Sequence, residues 1–527
     1  MYALIFVVVI LVIVYCYASV HYSAYGRAIN KFPGPAPLPI VGNSWNFATC
    51  SNADTYDKLQ SFQDAYYPVV RLWAWMSEAL LFIRHPDDIK TILTSRTNLD
   101  KSDVAYQTAR WAFNNNGILF SHAKTWKGRR RMLNNAFTPN LIKLYSRISD
   151  AQWSEKLKKP LCDEHTIEFI EQLKNKSDVD NVIELYHQLV LSSSSEAMMG
   201  VKLANLDQDL AKRYIQALDE MGHLVMHLVV RPYIPYWMVP YLPIGRRLKV
   251  SSESLHGFFD MVVNERRRYL ERVGYEHIKT VADEYDDVTD GWPSQASDRR
   301  RLALLDLLLQ LESEGRIDEK GVLDELEDII SAAYDTTGYA LSYLTVLMGE
   351  HPEIQERARR EVQLIMEECG GNLTSNELQR MEYLDCCCKE SLRIFPTAPV
   401  IGRRLVEDIT LESGHKVPAG TDIVILFQTI HMDPKYWPDP AKFDPDRFLP
   451  ENIKDQHPYA YMPFSSGARS CLGRNFASLN SKSVMARILN DFRIEAVTRS
   501  KDLRFHLNVA LEPNIPIAAK FIKIDRK

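Results

Sequence analysis

Residues 464–473 read FSSGARSCLG, and within them a single cysteine, Cys471, lies between two glycines. A cysteine that binds a metal must be deprotonated, held rigidly and shielded from oxidants. Glycines on both sides allow a tight turn, so that backbone N–H groups point at the sulfur. Phe464 is placed to cover the sulfur, and Arg469 to neutralise an anionic cofactor edge beside it. The alternative for an isolated cysteine is a buried free thiol in an ordinary loop.

The complete pattern F-x-x-G-x-R-x-C-x-G favours the metal site, because every position of the pattern is filled. This stretch resembles the haem-binding loop of the cytochrome P450 family, in which the cysteine is the axial iron ligand. The resemblance implies that Cys471 ligates a haem b that is held non-covalently apart from the cysteine–iron bond. It also implies the cytochrome P450 fold, mainly α with a small β region.

Composition is that of an ordinary globular protein, with 46% hydrophobic residues, 25% charged residues and a formal net charge of −5. Nucleic acid is not expected as a partner, because the sequence has no basic stripe with interleaved aromatic residues. Eight cysteines, three of them consecutive at 386–388, are typical of reduced thiols rather than a disulfide framework. No C-x-x-C pair offers zinc-ligand spacing.

The N-terminus is the strongest departure from that composition, because residues 2–20 contain no charged side chain. As a helix this stretch spans about 28 Å, close to the hydrocarbon thickness of a bilayer. A cleaved signal peptide is the alternative, but positive charge follows the apolar run, at Arg27 and Lys31, instead of preceding it. We therefore expect a membrane signal-anchor helix at 1–21, a proline-rich hinge at 22–42, and a body on the cytosolic face of the endoplasmic reticulum membrane.

The remainder of the chain predicts one large body. Apolar runs at 69–73 and 79–83 predict short strands, helical periodicity dominates from about residue 86, and an acidic, turn-rich surface loop is expected at 283–293. Length alone predicts about three domains. The motifs from Trp126 to Cys471 must nevertheless converge on one haem, so residues 43–527 are expected to form a single haem-thiolate domain.

A second motif is the basic stretch WKGRRR at 126–131. Trp126 and Arg130 are four residues apart, so on a helix they share one face. The stretch is similar to the family's W-x-x-x-R helix, where both side chains contact a haem propionate, whereas the alternative is a solvated basic face. The other basic residues, at 127, 129 and 131, are then expected to project outward toward an acidic redox partner. Arg403 lies where the family often places another propionate ligand.

A third motif lies within a long helix. Apolar residues recur every three or four positions from 323 to 347 and predict a helix of about 30 residues. Residues 332–337, AAYDTT, resemble the family's A-G-x-D-T-T oxygen-binding groove. The resemblance implies that Asp335 and Thr336 handle water and protons, although a mid-helix threonine usually bonds only to the carbonyl four residues earlier. Many ω-hydroxylases have at the position of Ala332 a glutamate that can be esterified to haem; alanine cannot form that ester.

The fourth motif is a Glu-x-x-Arg pair, Glu390 and Arg393, which is weak by itself because helical ion pairs are common. Residues 445–448, PDRF, follow later in the chain. The family couples these two phrases as a buried Glu–Arg–Arg network, which implies a structural role for Glu390, Arg393 and Arg447. A second arginine lets the buried carboxylate be fully paired.

Together these motifs indicate a monooxygenase that inserts one oxygen atom of O2 into an apolar substrate. The sequence has no dinucleotide fingerprint, so electrons are expected from NADPH through cytochrome P450 reductase, with cytochrome b5 as a second candidate donor. Residues 431–440, HMDPKYWPDP, look most like the fatty-acid ω-hydroxylase branch of animal enzymes; fatty acids are the first expected substrates, and steroid-like or foreign compounds the next. The alternatives are a haem-thiolate isomerase or dehydratase acting on a peroxide without O2, and a non-enzymatic haem-binding protein. Asp335 and Thr336 argue against both.

Overall fold

A computed structural model describes residues 17–39, 41–74, 78–134, 137, 161–175, 177–201, 208–229, 231, 234, 238–273 and 303–524, with isolated positions before residue 17. Most of the expected anchor at 1–21, and all of the acidic loop at 283–293, lie outside these ranges. Among the helices in the described ranges, none combines the length and the apolar character needed to cross a membrane.

Helices dominate the described chain, as the sequence predicts. The α-helices are α1 (Ala24–Ile29), α2 (Asn52–Ala65), α3 (Pro86–Thr94), α4 (Asp103–Phe113), α5 (Ala123–Asn134), α6 (Leu161–Asn175), α7 (Val182–Ser194), α8 (Gln208–Val229), α9 (Pro243–Val273), α10 (Leu304–Ser313), α11 (Glu319–Glu350), α12 (Pro352–Glu368), α13 (Ser375–Arg380), α14 (Glu382–Ile394), α15 (Phe427–His431), α16 (Pro450–Ile453) and α17 (Arg474–Asp491).

The strands form small sheets. They are β1 (Val69–Trp73), β2 (Ala79–Ile83), β3 (Asp178–Val179), β4 (Val400–Arg404), β5 (Ile409–Thr410), β6 (Lys416–Val417), β7 (Asp422–Leu426), β8 (Phe492–Ala496), β9 (Phe505–Leu507), β10 (Leu511–Pro513) and β11 (Ala519–Lys523). The largest sheet has the order β1-β2-β7-β4, in which β2 and β7 are parallel and the other pairs are antiparallel. Strands β1 and β2 are the two runs that the sequence predicts.

The long helix α11 is the central element, and its 32 residues agree with the predicted length. The Asp318 side chain caps its start by accepting from Gly321 N at 3.0 Å. Helix α7 packs closely on α11, because Gly338 has no side chain: a Cβ there would overlap the imidazole of His187. The His187 ring thereby lies against α11, with its Nε2 3.3 Å from Asp335 O.

Candidate active site

The cysteine loop is held by backbone hydrogen bonds on both sides of its turn. Cys471 N donates to Phe464 O at 2.9 Å, and Ser470 N donates to Gly467 O at 3.1 Å. Gly467 has a φ of +73°, and a Cβ at this position would overlap the carbonyl oxygen of Leu93. The first glycine of the motif is therefore required both by its backbone conformation and by its contact with α3.

The second glycine of the motif has a different reason. Gly473 lines the cavity described below, and a Cβ there would meet no protein atom within 4 Å. Glycine thus leaves room for a planar cofactor to approach the sulfur. Burial raises the pKa of the Cys471 thiol, whereas the backbone N–H of Gly473 and the charges of Arg130 and Arg474 lower it. A bound iron is a larger local charge than any of these and keeps a coordinating thiol deprotonated.

The cysteine loop lines a cavity of about 1060 Å³. This volume lies at the upper end of the ~300–1,000 Å³ range of ligand pockets and leaves room for a large cofactor. The cavity brings together most of the predicted site residues: Trp126, Arg130, Asp335, Thr336, Phe464, Arg469 and Cys471. Much of the remaining wall is apolar and includes Phe113, Phe120, Val225, Ile329, Ala333 and Leu507.

Arg469 is the most firmly held of the predicted cofactor ligands. Its guanidinium donates to three backbone carbonyls, those of Leu99 at 3.1 Å, Ile118 at 3.4 Å and Ser121 at 2.8 Å. Its guanidinium carbon also lies 4.4 Å from the centre of the Trp126 ring. The arginine therefore joins the cysteine loop to the segment between α4 and α5.

Arg469 belongs to a group of buried cations that also contains Arg403 and Lys101. Arg403 is 3% exposed, and its Nη1 donates to Gly402 O at 3.0 Å. Lys101 is 7% exposed, and its Nζ lies 4.4 Å from the centre of the Tyr106 ring. Burial, and then the charge of Arg403, lower the pKa of Arg469 to about 9 and hold the pKa of Lys101 well below its ordinary value.

These cations fit the anionic edge of a haem. Arg130 Nη1 donates to Ser470 O at 2.8 Å, so this fourth cation lies against the cysteine loop. Among the described residues, none of the four forms an ion pair with a carboxylate. Unpaired buried cations are costly unless a ligand supplies negative charge. Haem propionates would supply it, so the residues present fit haem b.

Two residues here differ from expectation. Lys101 is not predictable from the sequence, because a single lysine outside any motif gives no signal that it is buried. Arg129 does not project outward: its Nε lies 3.6 Å from Glu325 Oε1, and its side chain is only 15% exposed. Glu325 is fully buried on α11 and attracts this cation inward, whereas Lys127 and Arg131 are exposed as expected.

Helix α11 contributes the polar groups of the predicted groove. Thr336 Oγ1 donates to Ala332 O at 2.7 Å, the common back-bond of a helical threonine. Burial, followed by Glu512 and Asp219, raises the pKa of Asp335 to about 7. A carboxyl group with a pKa near the working pH is well suited to exchange protons.

Glu390, Arg393 and Arg447 lie together. Arg393 Nε and Nη2 donate to the two carboxylate oxygens of Glu390 at 2.7 and 2.8 Å, and Arg447 Nε lies 3.4 Å from Glu390 Oε1. Arg393 Nη1 also donates to His431 O at 2.9 Å. Both oxygens of the buried carboxylate are thus hydrogen-bonded to Arg393, while Arg447 adds an ion pair and donates through Nη2 to Asp439 O at 3.0 Å.

Comparison with known proteins agrees with this geometry. The cytochrome P450 family profile matches residues 32–521. The chain is 29% identical to cytochrome P450 4c3 of Drosophila melanogaster, over 95% of this chain and 90% of that protein. It is 28% identical to cytochrome P450 4V2 of Rattus norvegicus, over 96% of this chain and 92% of that protein. In fold it matches the crystal structure of the cytochrome P450DA heme domain, with a TM-score of 0.73 and 21% identity over 94% of this chain and 98% of that chain.

Proposed function

The chain belongs to the cytochrome P450 family and is a haem-thiolate monooxygenase; we propose that it oxidises an apolar small molecule with electrons from NADPH, delivered by cytochrome P450 reductase. The observation that carries this proposal is that Cys471 and the Asp335–Thr336 pair line one cavity. An iron ligand and proton-handling groups thus meet where an apolar substrate can also bind.

The roles of the side chains follow from their surroundings. When bound, the thiolate-ligated haem supplies the activation of O2 and the insertion of one oxygen atom into a C–H bond. Cys471 would hold the iron, while Arg130, Arg469 and Trp126 would hold and orient the propionates, and Arg403 would add positive charge beside Arg469. Asp335 exchanges protons with water in the cavity. The apolar wall positions the substrate and excludes bulk water.

Thr336 has a more specific role in proton transfer. While the Thr336 hydroxyl donates to Ala332 O, the lone pairs of its oxygen can still accept a hydrogen bond from the cavity. Rotation about χ1 lets the hydroxyl donate into the cavity instead. Its hydroxyl and the Asp335 carboxyl group line the same cavity, so water there can connect them.

The primary test is optical. The reduced, carbon-monoxide-bound protein should show the red-shifted Soret band of thiolate-ligated haem. The Cys471→Ser variant should lose this band, whereas Cys369→Ser, which changes a partly exposed cysteine outside the cavity wall, should keep it. An unchanged band in Cys471→Ser would contradict the proposal.

The redox partner and the membrane need separate measurements. Purified protein with reductase and NADPH should consume O2 in the presence of substrate, while turnover of a peroxide without reductase would favour the isomerase alternative. The proposed architecture is an anchor at 1–21, a hinge at 22–42 and one haem domain at 43–527. We expect the full chain to sediment with microsomes after carbonate washing, and a chain lacking residues 1–21 to be released.

A further inference from the structure

A group of ionisable side chains lies on elements other than those that carry the four cations. His223 Nε2 on α8 lies 3.3 Å from Glu512 Oε2 on β10 and 3.8 Å from Asp219 Oδ1. Asn508 Nδ2 donates to Glu512 Oε2 at 3.0 Å and holds the carboxylate in place. A Cβ at Gly222 would overlap the Asn508 amide, so a glycine is what lets α8 approach the β9–β10 hairpin.

This group leaves the cavity wall with excess negative charge. Asp219, Glu512 and Asp335 all line the cavity. His187 Nε2 lies 3.8 Å from Asp335 Oδ1, but it is neutral at neutral pH, because burial lowers its pKa to about 4. Three carboxyl groups therefore face the imidazole of His223, whose pKa is raised mainly by its hydrogen bond to Glu512. Glu512 and Asp219 carry the negative charge of this wall, because the pKa of Asp335 is raised to about 7.

Tyr334 gives an independent indication that a ligand binds here. It is 5% exposed and lines the cavity, and its hydroxyl has no hydrogen-bond partner among the residues that the structure describes. Burial and then the nearby carboxylates, first Asp335, raise its pKa. Since Tyr334 lines the cavity, its hydroxyl is available to a ligand that binds there.

We propose that the substrate carries a positively charged nitrogen on an otherwise apolar body, and that this nitrogen binds at Asp219 and Glu512. The proposal rests on the proposed function, because it takes this cavity as the substrate cavity. A carboxylate head group would meet like charge at this wall, whereas an ammonium group meets two carboxylates. The substrate class is then an amphiphilic amine or quaternary ammonium compound rather than a free fatty acid.

Lys212 is the feature that would support the opposite reading. It is the one cation of the described part of α8 on the cavity wall, and it is exposed. If a fatty acid were the substrate, Lys212 would be the natural partner of its carboxylate. The two readings therefore predict opposite effects for substitutions at positions 212 and 219 of the same helix.

The test uses the haem-loaded full chain and three probes of equal chain length: decyltrimethylammonium, decanoate and 1-decanol. A quaternary nitrogen has no lone pair, so it cannot ligate iron and mimic substrate binding. Binding is followed by the Soret change and, independently, by calorimetry, at pH 7.5 with EDTA. We expect at least about tenfold tighter binding of the ammonium than of decanoate, a difference that shrinks as salt is added.

Variants locate the effect. Asp219→Asn and Glu512→Gln should each weaken ammonium binding several-fold and leave 1-decanol unchanged. Glu220→Gln is the matched control, because Glu220 lies on the same helix as Asp219, is paired with Arg247 of α9 and does not line the cavity. Because Asp219 is exposed, its substitution does not endanger folding. Retention of the carbon-monoxide band shows that each variant is intact.

Two outcomes would overturn the inference. One is tighter binding of decanoate that Lys212→Gln weakens, which would assign the site to a fatty acid. The other is a tightly held divalent ion at Asp219, His223 and Glu512, lost in His223→Ala, which would mean that a metal neutralises the carboxylates. Either result, obtained with protein that shows the thiolate-haem band, would contradict this inference but not the proposed function. Absence of the band in the wild type would contradict the proposed function itself.

Discussion

The cavity has two kinds of charged wall, and they are built differently. Around the cysteine loop, Lys101, Arg130 and Arg469 provide positive charge on the wall, and Arg403 is buried near them without lining the cavity; the partners of these cations are backbone carbonyls and aromatic rings. Around α8 and β10, carboxylates provide negative charge and are paired with a histidine and an amide. The first wall suits a cofactor that stays bound, and the second suits a substrate that binds and dissociates in every catalytic cycle.

The largest expected effect tests the cationic wall. Arg469→Ala removes three hydrogen bonds to backbone carbonyls and a buried charge, which we expect to speed haem loss roughly 100-fold, or about 3 kcal/mol. Transfer of haem to apomyoglobin measures the rate. The exposed Arg499→Ala is the matched control. Wild-type haem retention in Arg469→Ala would show that the wall does not hold the cofactor by charge.

The next effect concerns buried carboxylates on α11. Burial, and then Asp324, raises the pKa of Glu327 to about 8, and Glu327 is 3% exposed. The folded state therefore holds this proton more tightly than the unfolded state. Its contribution to the free energy of unfolding is fully present below about pH 4.5 and is lost as the pH rises to about 8. The slope approaches 1.4 kcal/mol per pH unit.

Melting temperatures between pH 5 and pH 8.5 measure this contribution. We expect the melting temperature of the wild type to fall over this range, and that of Glu327→Gln to fall less. Glu367→Gln, which changes an exposed glutamate, should retain the wild-type slope. Parallel curves for Glu327→Gln and the wild type would show that Glu327 is ionised in the folded protein.

A smaller effect is expected at Thr336. Thr336→Ala removes the hydroxyl while leaving the apolar surface nearly unchanged. We expect substrate binding within a few-fold of wild type and roughly tenfold more peroxide per product, because proton delivery loses one group. Thr336→Ser should restore coupling. Equal coupling in Thr336→Ala and wild type would limit the threonine to its bond with Ala332.

The last prediction is the absence of an effect. Ala332 has no carboxylate, so no ester to haem can form from this position. Denaturation in acidified organic solvent should release unmodified haem completely and leave a polypeptide of unaltered mass. Mass spectrometry of the denatured chain checks this. A haem-sized adduct would implicate another carboxylate on the acidic wall, and the contrast between the two walls would then be less complete than described.

The residues of the cationic wall were easier to predict from the sequence than those of the acidic wall, for a physical reason. Cys471, Arg469, Trp126 and Arg130 stand at fixed short spacings, because one helix turn or one loop must place each group of them. Helical periodicity likewise locates α11, whose apolar face is local in sequence. These features can be predicted from the sequence because the interactions that determine them act between residues only a few positions apart.

The acidic wall depends on contacts that no local pattern encodes. Asp219 and Glu512 are brought together by the packing of α8 on a hairpin nearly 300 residues later in the chain. The inward turn of Arg129 toward Glu325 is the same kind of long-range pairing, and the prediction that Arg129 faces solvent was wrong for that reason. Lys101 is buried by the fold around it and not by its neighbours in sequence.

The contact between Gly338 and His187 has a consequence for redesign of the enzyme. Variant libraries that aim at new substrates would naturally randomise α11, since many of its residues line the cavity. A single methyl group at 338 would overlap the His187 ring, which would have to turn away from α11 and leave its contact with the Asp335 carbonyl oxygen. Position 338 should therefore be kept constant while 333 and 334 are varied, so that changes in selectivity report on the side chains introduced.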